Sequence, residues 1–145
     1  MVETKGFSSQ DGISLQWASS LGLETGVISG RDSPAVVIRA QQCRMKYIYQ
    51  GHTEKMPVYE FILAEAGVTD DEVGYIGDDL TDAPLLARAG FSAAPANARP
   101  EIKNIVHLVT TACGGEGAVR EVVEFVLRAQ GKWDQILRKY GVCPV

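Results

Sequence analysis

The chain has 145 residues, a length typical of one compact domain, and its 46% apolar and 22% charged residues exclude an intrinsically disordered chain. No apolar run approaches the roughly 20 residues of a membrane-spanning helix, residues 1–10 lack the features of a signal peptide, and we expect a cytoplasmic protein. The net charge of -4, without clusters of lysine and arginine, argues against a nucleic-acid-binding protein.

Short β-branched segments alternate along the chain with amphipathic segments, which predicts a parallel α/β architecture. The first strand passes through Val27 and Ile28. A helix begins near Ser33 and Pro34, because serine caps a helix and proline suits its first turn. The second strand is predicted at residues 47–49.

The rest of the chain continues this alternation. The predicted helix from Lys55 places Val58, Phe61 and Ile62 on one face. A further helix is expected over residues 81–89, with Gly90 as a left-handed cap. Three more strands are predicted, at residues 73–76, 91–94 and 107–110.

The last third of the chain shows the clearest helical periodicity. Apolar residues fall at helical spacing and predict a long amphipathic helix that contains Val119, Val122, Val123, Val126 and Leu127. The same spacing returns at Trp133, Ile136, Leu137 and Tyr140, so residues 132–145 are expected to form a terminal helix or tail of a single domain over residues 1–145. That segment either contacts a second subunit or folds back on its own chain.

Polar residues follow three of the predicted strands. In a parallel sheet, the carboxyl ends of the strands meet at one edge, where ligands bind. Ser29, Gly30 and Arg31 follow the first strand, Lys55 lies in the loop after the second, and the third ends at Gly77-Asp78-Asp79, with Asp82 nearby. A hydroxyl, an ammonium group and several carboxylates at one edge suit a phosphate and a divalent metal.

Each of these residues also has an ordinary structural interpretation. Asp78, Asp79 and Asp82 are equally suited to cap the following helix, and Ser29 with Gly30 alone is typical of a turn. Lysine in the position of Lys55 is usually a solvated helix residue. The order of the three groups along the chain and their position at strand ends favour the phosphate site.

Four motifs in the same order resemble those of the 3-deoxy-D-manno-octulosonate 8-phosphate phosphatases of the haloacid dehalogenase superfamily. They are Ile28-Ser29-Gly30-Arg31, Tyr49-Gln50-Gly51 with Lys55, Tyr75-Ile76-Gly77-Asp78-Asp79-Leu80-Thr81-Asp82, and Gly114-Gly115-Glu116-Gly117-Ala118-Val119-Arg120. The resemblance implies a Rossmann-like parallel sheet flanked by helices without a cap domain, a Mg²⁺-dependent phosphoaspartyl mechanism on a small sugar-acid phosphate in lipopolysaccharide precursor synthesis, and a homotetramer.

The resemblance also implies roles for individual residues. Ser29 and Lys55 match catalytic groups of the second and third motifs, Asp78 matches the metal ligand, and Asp79 and Asp82 match supporting acids. Substrate contacts are implied for Lys55 and for residues in three places: the loop matching Ser8, Asp11 and Gly12, the strand end at Gly30 and Arg31, and Arg39 of the next helix. A planar guanidinium suits a sugar-acid carboxylate, which it bonds at two oxygens.

One motif of that family has no match in the sequence. Its first central strand ends in Asp-x-Asp and supplies the nucleophile, whereas the 145 residues contain no Asp-x-Asp pair. We therefore expect a domain truncated at its N-terminus, with its first central strand missing and residues 2–7 matching the second strand of the family's hairpin. The alternatives are a catalytically inactive module that binds or assembles, a relative acting on a nine-carbon sugar acid, and a regulatory domain.

Overall fold

The structure, a computed structural model, describes residues 7–144 as helices arranged around short parallel strands. The α-helices are α1 (Ser9–Ser20), α2 (Pro34–Gln42), α3 (Met56–Ala66), α4 (Ala83–Arg88), α5 (Pro100–Lys103), α6 (Ala118–Ala129) and α7 (Trp133–Lys139). The strands are β1 (Gly26–Ile28), β2 (Tyr47–Tyr49), β3 (Gly74–Ile76), β4 (Phe91–Ala94) and β5 (Leu108–Val109). Two short 3₁₀ helices, Asp70–Glu72 and Leu80–Asp82, flank β3.

The parallel α/β architecture predicted from the sequence is confirmed. β1 contains Val27 and Ile28 as predicted, β2 and β4 occupy the predicted residues, and β3 and β5 are each shorter than predicted. Ser33 precedes α2 in an extended conformation with Pro34 at its first turn, as the sequence pattern indicated. Gly67, with φ of 69°, ends α3 in the left-handed conformation that glycine adopts most readily.

Two local features differ from the sequence prediction, and a third was not specified by it. α1 was not predicted, because its polar sequence has no apolar stripe and its Ser8 cap gave the only start signal. Gly90 is not a left-handed cap: it lies against residue Asp71, where a Cβ would approach a backbone oxygen to 2.8 Å. Phe61 lies on the helix face of Val58 as predicted, but it is 55% exposed and contacts the ring of Tyr49.

The strands within residues 7–144 form two separate parallel sheets. One contains β1 and β2, and the other has the order β3-β4-β5. β1 and β3 therefore each pair on one side only, and an apolar space separates their free edges. We refer to this space, bounded by β1 and β3, as the β1–β3 cleft.

The helices bury two apolar clusters. The larger joins α1, α6 and α7 through Trp17, Leu127, Trp133 and Ile136. The Trp17 indole N–H donates to the Tyr140 hydroxyl over 3.0 Å, and Arg120 lies over the Trp17 ring. The second cluster packs α4, β4 and α5 together through Leu86, Ala94 and Ile102.

The C-terminal segment packs on its own chain in the structure. Trp133 and Ile136 are buried against α1 and α6, which corresponds to the intramolecular alternative for that segment. The expected strand at residues 2–7 lies outside the described residues except for Phe7. No helix within residues 7–144 is long and apolar enough to cross a membrane.

Leu127→Ala tests the cluster shared by α1, α6 and α7. Leu127 is fully buried, so we expect the free energy of unfolding to fall by about 2–5 kcal/mol, the usual cost of a core cavity. Urea denaturation measures this change. Val142→Ala is the control, since Val142 is 50% exposed and its truncation is expected to change stability by less than about 0.5 kcal/mol.

Candidate active site

The loops after β1, β2 and β3 meet at the carboxyl ends of these strands. Backbone bonds join the first two loops, because Ser29 N–H donates to the Tyr49 carbonyl over 2.9 Å and His52 N–H donates to the Ser29 carbonyl over 3.3 Å. The Ser29 hydroxyl accepts from Arg31 N–H, which places Gly30 at the tip of a tight turn. These bonds hold Ser29 at the carboxyl end of β1, which forms part of the rim of the site, with its hydroxyl directed along the loop.

Lys55 and Asp82 join the second and third loops. The Lys55 Nζ lies 2.7 Å from Asp82 Oδ1, and both side chains are shielded, with 15% and 4% exposed. Lys55 is the residue that precedes α3, so the helix start fixes where its side chain leaves the backbone. The ordinary interpretation of Lys55 as a solvated helix residue is excluded by this burial.

Asp82 accepts four hydrogen bonds. Tyr75 Oη donates to the same oxygen as Lys55 over 3.1 Å, and the backbone N–H groups of Asp78 and Asp79 donate to the other oxygen over 3.0 and 3.3 Å. Burial alone would raise the pKa of Asp82, but the bonds from Lys55 and Asp78 hold this pKa below its usual value. Asp82 is therefore an ionised, fully bonded carboxylate that shapes the loop.

Gly77 makes room for this carboxylate. A Cβ at Gly77 would lie 2.5 Å from the Asp82 Cβ and 2.8 Å from its Cγ, both too close for any side chain. The glycine before Asp78 is thus required by packing and not by an unusual φ angle. Without it the backbone N–H groups could not reach Asp82.

Asp78 and Asp79 have different surroundings, although they are neighbours. The Asp79 carboxylate accepts from Leu80 N–H over 2.7 Å and caps the 3₁₀ helix, as the structural interpretation expected. Asp78 stays exposed at the rim. Partial burial of its carboxyl, with the charges of Asp82 and Asp79, raises the pKa of Asp78 above its ordinary value.

The donor set fits a divalent cation at Asp78. Partial burial and like charges raise the pKa of Asp78, and a nearby cation would stabilise its ionised form. Mg²⁺ binds few protein carboxylates and keeps water and phosphate ligands. Within residues 7–144 no cluster of three potential metal-binding side chains is present. The chain's described contribution to such a site is therefore small and centred on Asp78.

The residues expected around the sugar form a second cluster. Ser8, Asp11 and Gly12 were expected in a loop, but Ser8 caps α1 and the other two lie buried in its first turn. The Arg39 guanidinium packs on Gly12 so closely that a Cβ there would lie 2.0 Å from Nη2, and Nη2 also donates to the Ser8 carbonyl over 3.4 Å. Glycine at position 12 is therefore what admits the arginine.

Two of the residues expected to contact the substrate, Asp11 and Arg31, are not part of this cluster. Asp11 Oδ1 accepts from the backbone N–H of Arg120 over 2.9 Å and so binds the first turn of α6. Arg31 is exposed in the turn after β1, where its backbone N–H donates to the Ser29 hydroxyl. The structure thus brings Ser8, Gly12 and Arg39 together, and it uses Asp11 to join two helices.

The sequence analysis missed two residues that support the site. Tyr75 bonds Asp82 from within β3, and no local pattern distinguishes it from a core tyrosine. Arg99 N–H donates to the Asp78 carbonyl over 3.0 Å and holds the loop from the α5 side. The proline after Arg99, which starts α5, was the only available signal there.

Comparisons with known proteins agree on one family. Residues 28–122 match the model of the haloacid dehalogenase-like hydrolases. The chain is 35% identical to the 3-deoxy-D-manno-octulosonate 8-phosphate phosphatase KdsC of Escherichia coli K12, over 92% of this chain and 71% of that protein. This relative is a phosphatase, which gives no support to the alternative of an inactive module.

Solved structures give the same result. A probable YrbI family phosphatase from Pseudomonas syringae superposes with a TM-score of 0.94 at 37% identity, covering 96% of this chain and 79% of that one. The 3-deoxy-D-manno-octulosonate 8-phosphate phosphatase of Moraxella catarrhalis, in complex with a magnesium ion, a phosphate ion and a KDO molecule, superposes with a TM-score of 0.93 at 34% identity. It covers 96% of this chain and 80% of that one.

Asp82→Asn tests the central carboxylate. Removing its charge leaves shielded Lys55 without a counter-ion, so we expect the free energy of unfolding at pH 7 to fall by about 3 kcal/mol. The folded pKa of Asp82 lies below its unfolded value of about 3.9, so its contribution is full above that pH and is lost as pH falls through the folded value. The difference between wild type and variant should therefore shrink below about pH 4.

Urea denaturation between pH 3 and pH 7 measures this pH dependence. Asp134→Asn is the control, because Asp134 is an exposed residue of α7 and its loss of charge should change stability by less than about 1 kcal/mol. A difference for Asp82→Asn that is small at pH 7, or that grows on acidification, contradicts the assignment.

Proposed function

The chain belongs to the 3-deoxy-D-manno-octulosonate 8-phosphate phosphatases of the haloacid dehalogenase-like hydrolase family, and we propose that its function is Mg²⁺-dependent hydrolysis of that sugar-acid phosphate in lipopolysaccharide precursor synthesis. The observation that carries the proposal is the ion pair of Lys55 with Asp82 beside Asp78. It places a shielded cation and an exposed carboxylate in the loops that follow the carboxyl ends of β2 and β3.

The described residues provide groups that hold a phosphoryl group. The Ser29 hydroxyl lies on the turn after β1, where it can donate to a phosphoryl oxygen. Lys55 supplies a positive charge whose direction is fixed by Asp82, so little reorganisation is needed when negative charge builds up on the phosphoryl oxygens. Asp79 and Asp82 act by positioning these groups, because their carboxylates are already bonded within the loop.

Asp78 would hold the Mg²⁺ ion. The ion supplies charge neutralisation on the phosphoryl oxygens when it is bound. The Asp78 backbone is held by Arg99 and Asp82, which fixes the position from which its exposed carboxylate extends. The magnesium and phosphate ions named with the Moraxella catarrhalis phosphatase support this choice of cofactor.

Two arginines suit the carboxylate of the sugar acid. Arg39 is held over Gly12 by its bond to the Ser8 carbonyl, while the Arg31 side chain is exposed in the turn after β1. Each guanidinium can bond both oxygens of a carboxylate, as substrate binding would require. The KDO molecule named with the Moraxella catarrhalis phosphatase supports an eight-carbon sugar acid as the substrate.

The nucleophile of this family is a carboxylate of an Asp-x-Asp pair, which the 145-residue sequence does not contain. The described residues therefore account for substrate binding, charge stabilisation and metal binding. Phosphate release is best tested on the chain alone and on a version extended by an apolar strand with Asp-x-Asp. Substrate binding is tested separately on both.

In the functional test, we expect the chain to bind 3-deoxy-D-manno-octulosonate 8-phosphate in the presence of Mg²⁺ and the extended version to release phosphate from it. Asp78→Asn should weaken Mg²⁺ binding by more than about tenfold, since a direct carboxylate ligand is lost. Calorimetric titration of Mg²⁺ in the presence of inorganic phosphate measures this without any turnover. Colorimetric phosphate release measures the reaction.

Asp134→Asn serves as the control in both measurements, because Asp134 lies on α7 outside the site. If neither version binds the sugar-acid phosphate, the proposed substrate is wrong. If Asp78→Asn binds Mg²⁺ as the wild type does, the metal ligand is assigned to the wrong residue.

We also propose a homotetramer, which the family resemblance motivates. Exposed apolar side chains near the site rim support subunit contacts there, since Leu80 is 57% exposed and Phe61 is 55% exposed. The C-terminal helix contributes less than expected to such contacts, because Trp133 and Ile136 are covered by their own chain.

Light scattering coupled to size exclusion tests the assembly. We expect a single species of four chains at micromolar concentration, and we expect Phe61→Glu to dissociate it, because a charge would be buried in the contact. Val142→Glu, an exposed change on the C-terminal tail, should leave the mass unchanged. A monodisperse monomer of the wild type would overturn the tetramer.

A further inference from the structure

Gln50 follows β2 directly and joins that strand to the start of α2. Its side-chain oxygen Oε1 accepts from the backbone N–H of Ser33 over 2.9 Å. Ser33 is the buried, extended residue that precedes α2. In a capping box the residue three positions into the helix bonds this N–H, but Val36 stands there and has no polar side-chain group. Gln50 takes that role from the end of a different element.

The loop between β1 and α2 is held at both of its ends. At the first end, Ser29 N–H donates to the Tyr49 carbonyl over 2.9 Å. At the second end, the Gln50 side chain binds the backbone of Ser33. Arg31 lies between these two points. Two consecutive residues at the end of β2 therefore hold the loop that carries Arg31.

The two loops also touch between these points. A Cβ at Gly51 would lie 2.9 Å from Asp32 Oδ2, and Gly51 has φ of 76°. Glycine has no side chain and adopts this left-handed conformation readily, so it lets the Asp32 side chain lie against the backbone after Gln50. The residue after Arg31 is therefore in contact with the loop after β2, in agreement with the close approach that the Gln50 bond requires.

The start of α2 also determines where Arg39 lies. Arg39 comes fewer than two helical turns after Ser33, and its Nη2 donates to the Ser8 carbonyl over 3.4 Å. A helix is rigid over this distance, so a shift of Ser33 moves Arg39 as well. A guanidinium that is held in place before the ligand arrives loses less conformational freedom on binding, which strengthens that binding.

We propose that Gln50 is a positioning residue for recognition of the sugar-acid carboxylate. It holds the start of α2, and thereby the guanidinium groups of Arg31 and Arg39, in place for that carboxylate, without contacting the substrate itself. The substrate is taken from the proposed function, on which this inference rests. The role of Gln50 in placing Arg39 is independent of any substrate and can be measured without one.

The phosphate end of the site does not depend on Gln50. Lys55 is held by its ion pair with Asp82, and Ser29 is held by its backbone bond to Tyr49. Loss of the Gln50 bond should therefore weaken recognition of the carboxylate and leave phosphate binding unchanged. A residue that only stabilised the fold would affect both ligands alike.

Gln50→Met tests this separation, because it removes the acceptor and keeps an unbranched side chain of similar length. We expect the Kd of 3-deoxy-D-manno-octulosonate 8-phosphate, measured by calorimetry with Mg²⁺, to rise about tenfold, the effect of losing one hydrogen bond. The Kd of inorganic phosphate under the same conditions should not change. Gln50→Asn, which is too short to keep the bond to Ser33, takes its place if Gln50→Met does not fold.

Gln41→Met is the matched control. Gln41 is an exposed residue of α2, so the same substitution lies on the same helix but away from its start. Both Kd values should equal those of the wild type.

Hydrogen exchange of the Arg39 guanidinium, followed by NMR, tests the positioning without substrate. It should be faster in Gln50→Met than in the wild type, since the start of α2 no longer holds Arg39 over Gly12. Gln50→Glu should restore the slower exchange, because it keeps an acceptor oxygen for Ser33 and because a carboxylate suits the N-terminal end of a helix.

Three results for Gln50→Met would overturn the proposal. They are an equal rise in Kd for both ligands, an unchanged Kd for the sugar-acid phosphate, and the same Arg39 exchange as in the wild type. If the wild type does not bind the sugar-acid phosphate, the proposed substrate is wrong, and the Arg39 exchange alone decides for or against the role of Gln50.

Discussion

The arrangement of the candidate site depends on the Asp82 carboxylate. One oxygen binds Lys55 and Tyr75, and the other binds two consecutive backbone N–H groups, so a single side chain fixes the loop after β3 relative to the start of α3. Burying a carboxylate is costly unless its hydrogen bonds are satisfied, and here four donors satisfy it. The exposed Asp78 is free to meet a ligand because its neighbour carries this structural role.

Much of the fold was predictable from local pattern. The β-branched segments at residues 27–28 and 47–49 are strands, and the valine stripe of α6 does bury Val122 and Leu127. α1 could not be found this way, because its burial depends on packing against α6 and not on an apolar face of its own. The exposure of Phe61 could not be predicted, since helical spacing gives the face of a residue but not whether a neighbour covers that face.

The sequence predicted which side chains lie at the site, but not which hydrogen bonds they make. Strand order and strand ends placed Ser29, Lys55 and Asp78 at one edge, which requires only the geometry of parallel strands. Spacing alone did not show that Asp11 would bind the backbone of α6, since that contact joins residues 109 positions apart. Nor did it separate Asp79 and Asp82 as a helix cap and a buried counter-ion, because adjacent carboxylates differ only in the partners that tertiary structure gives them.

The close approach of Gly77 to Asp82 couples two positions in evolution. Any side chain at position 77 requires that the residue at position 82 be smaller or turned away, and either change releases Lys55 and both backbone N–H groups. A single substitution at either position therefore passes through a damaged intermediate. The pair is expected to behave as one inherited unit, so that lineages which lose the aspartate are also the ones in which the glycine becomes free to vary.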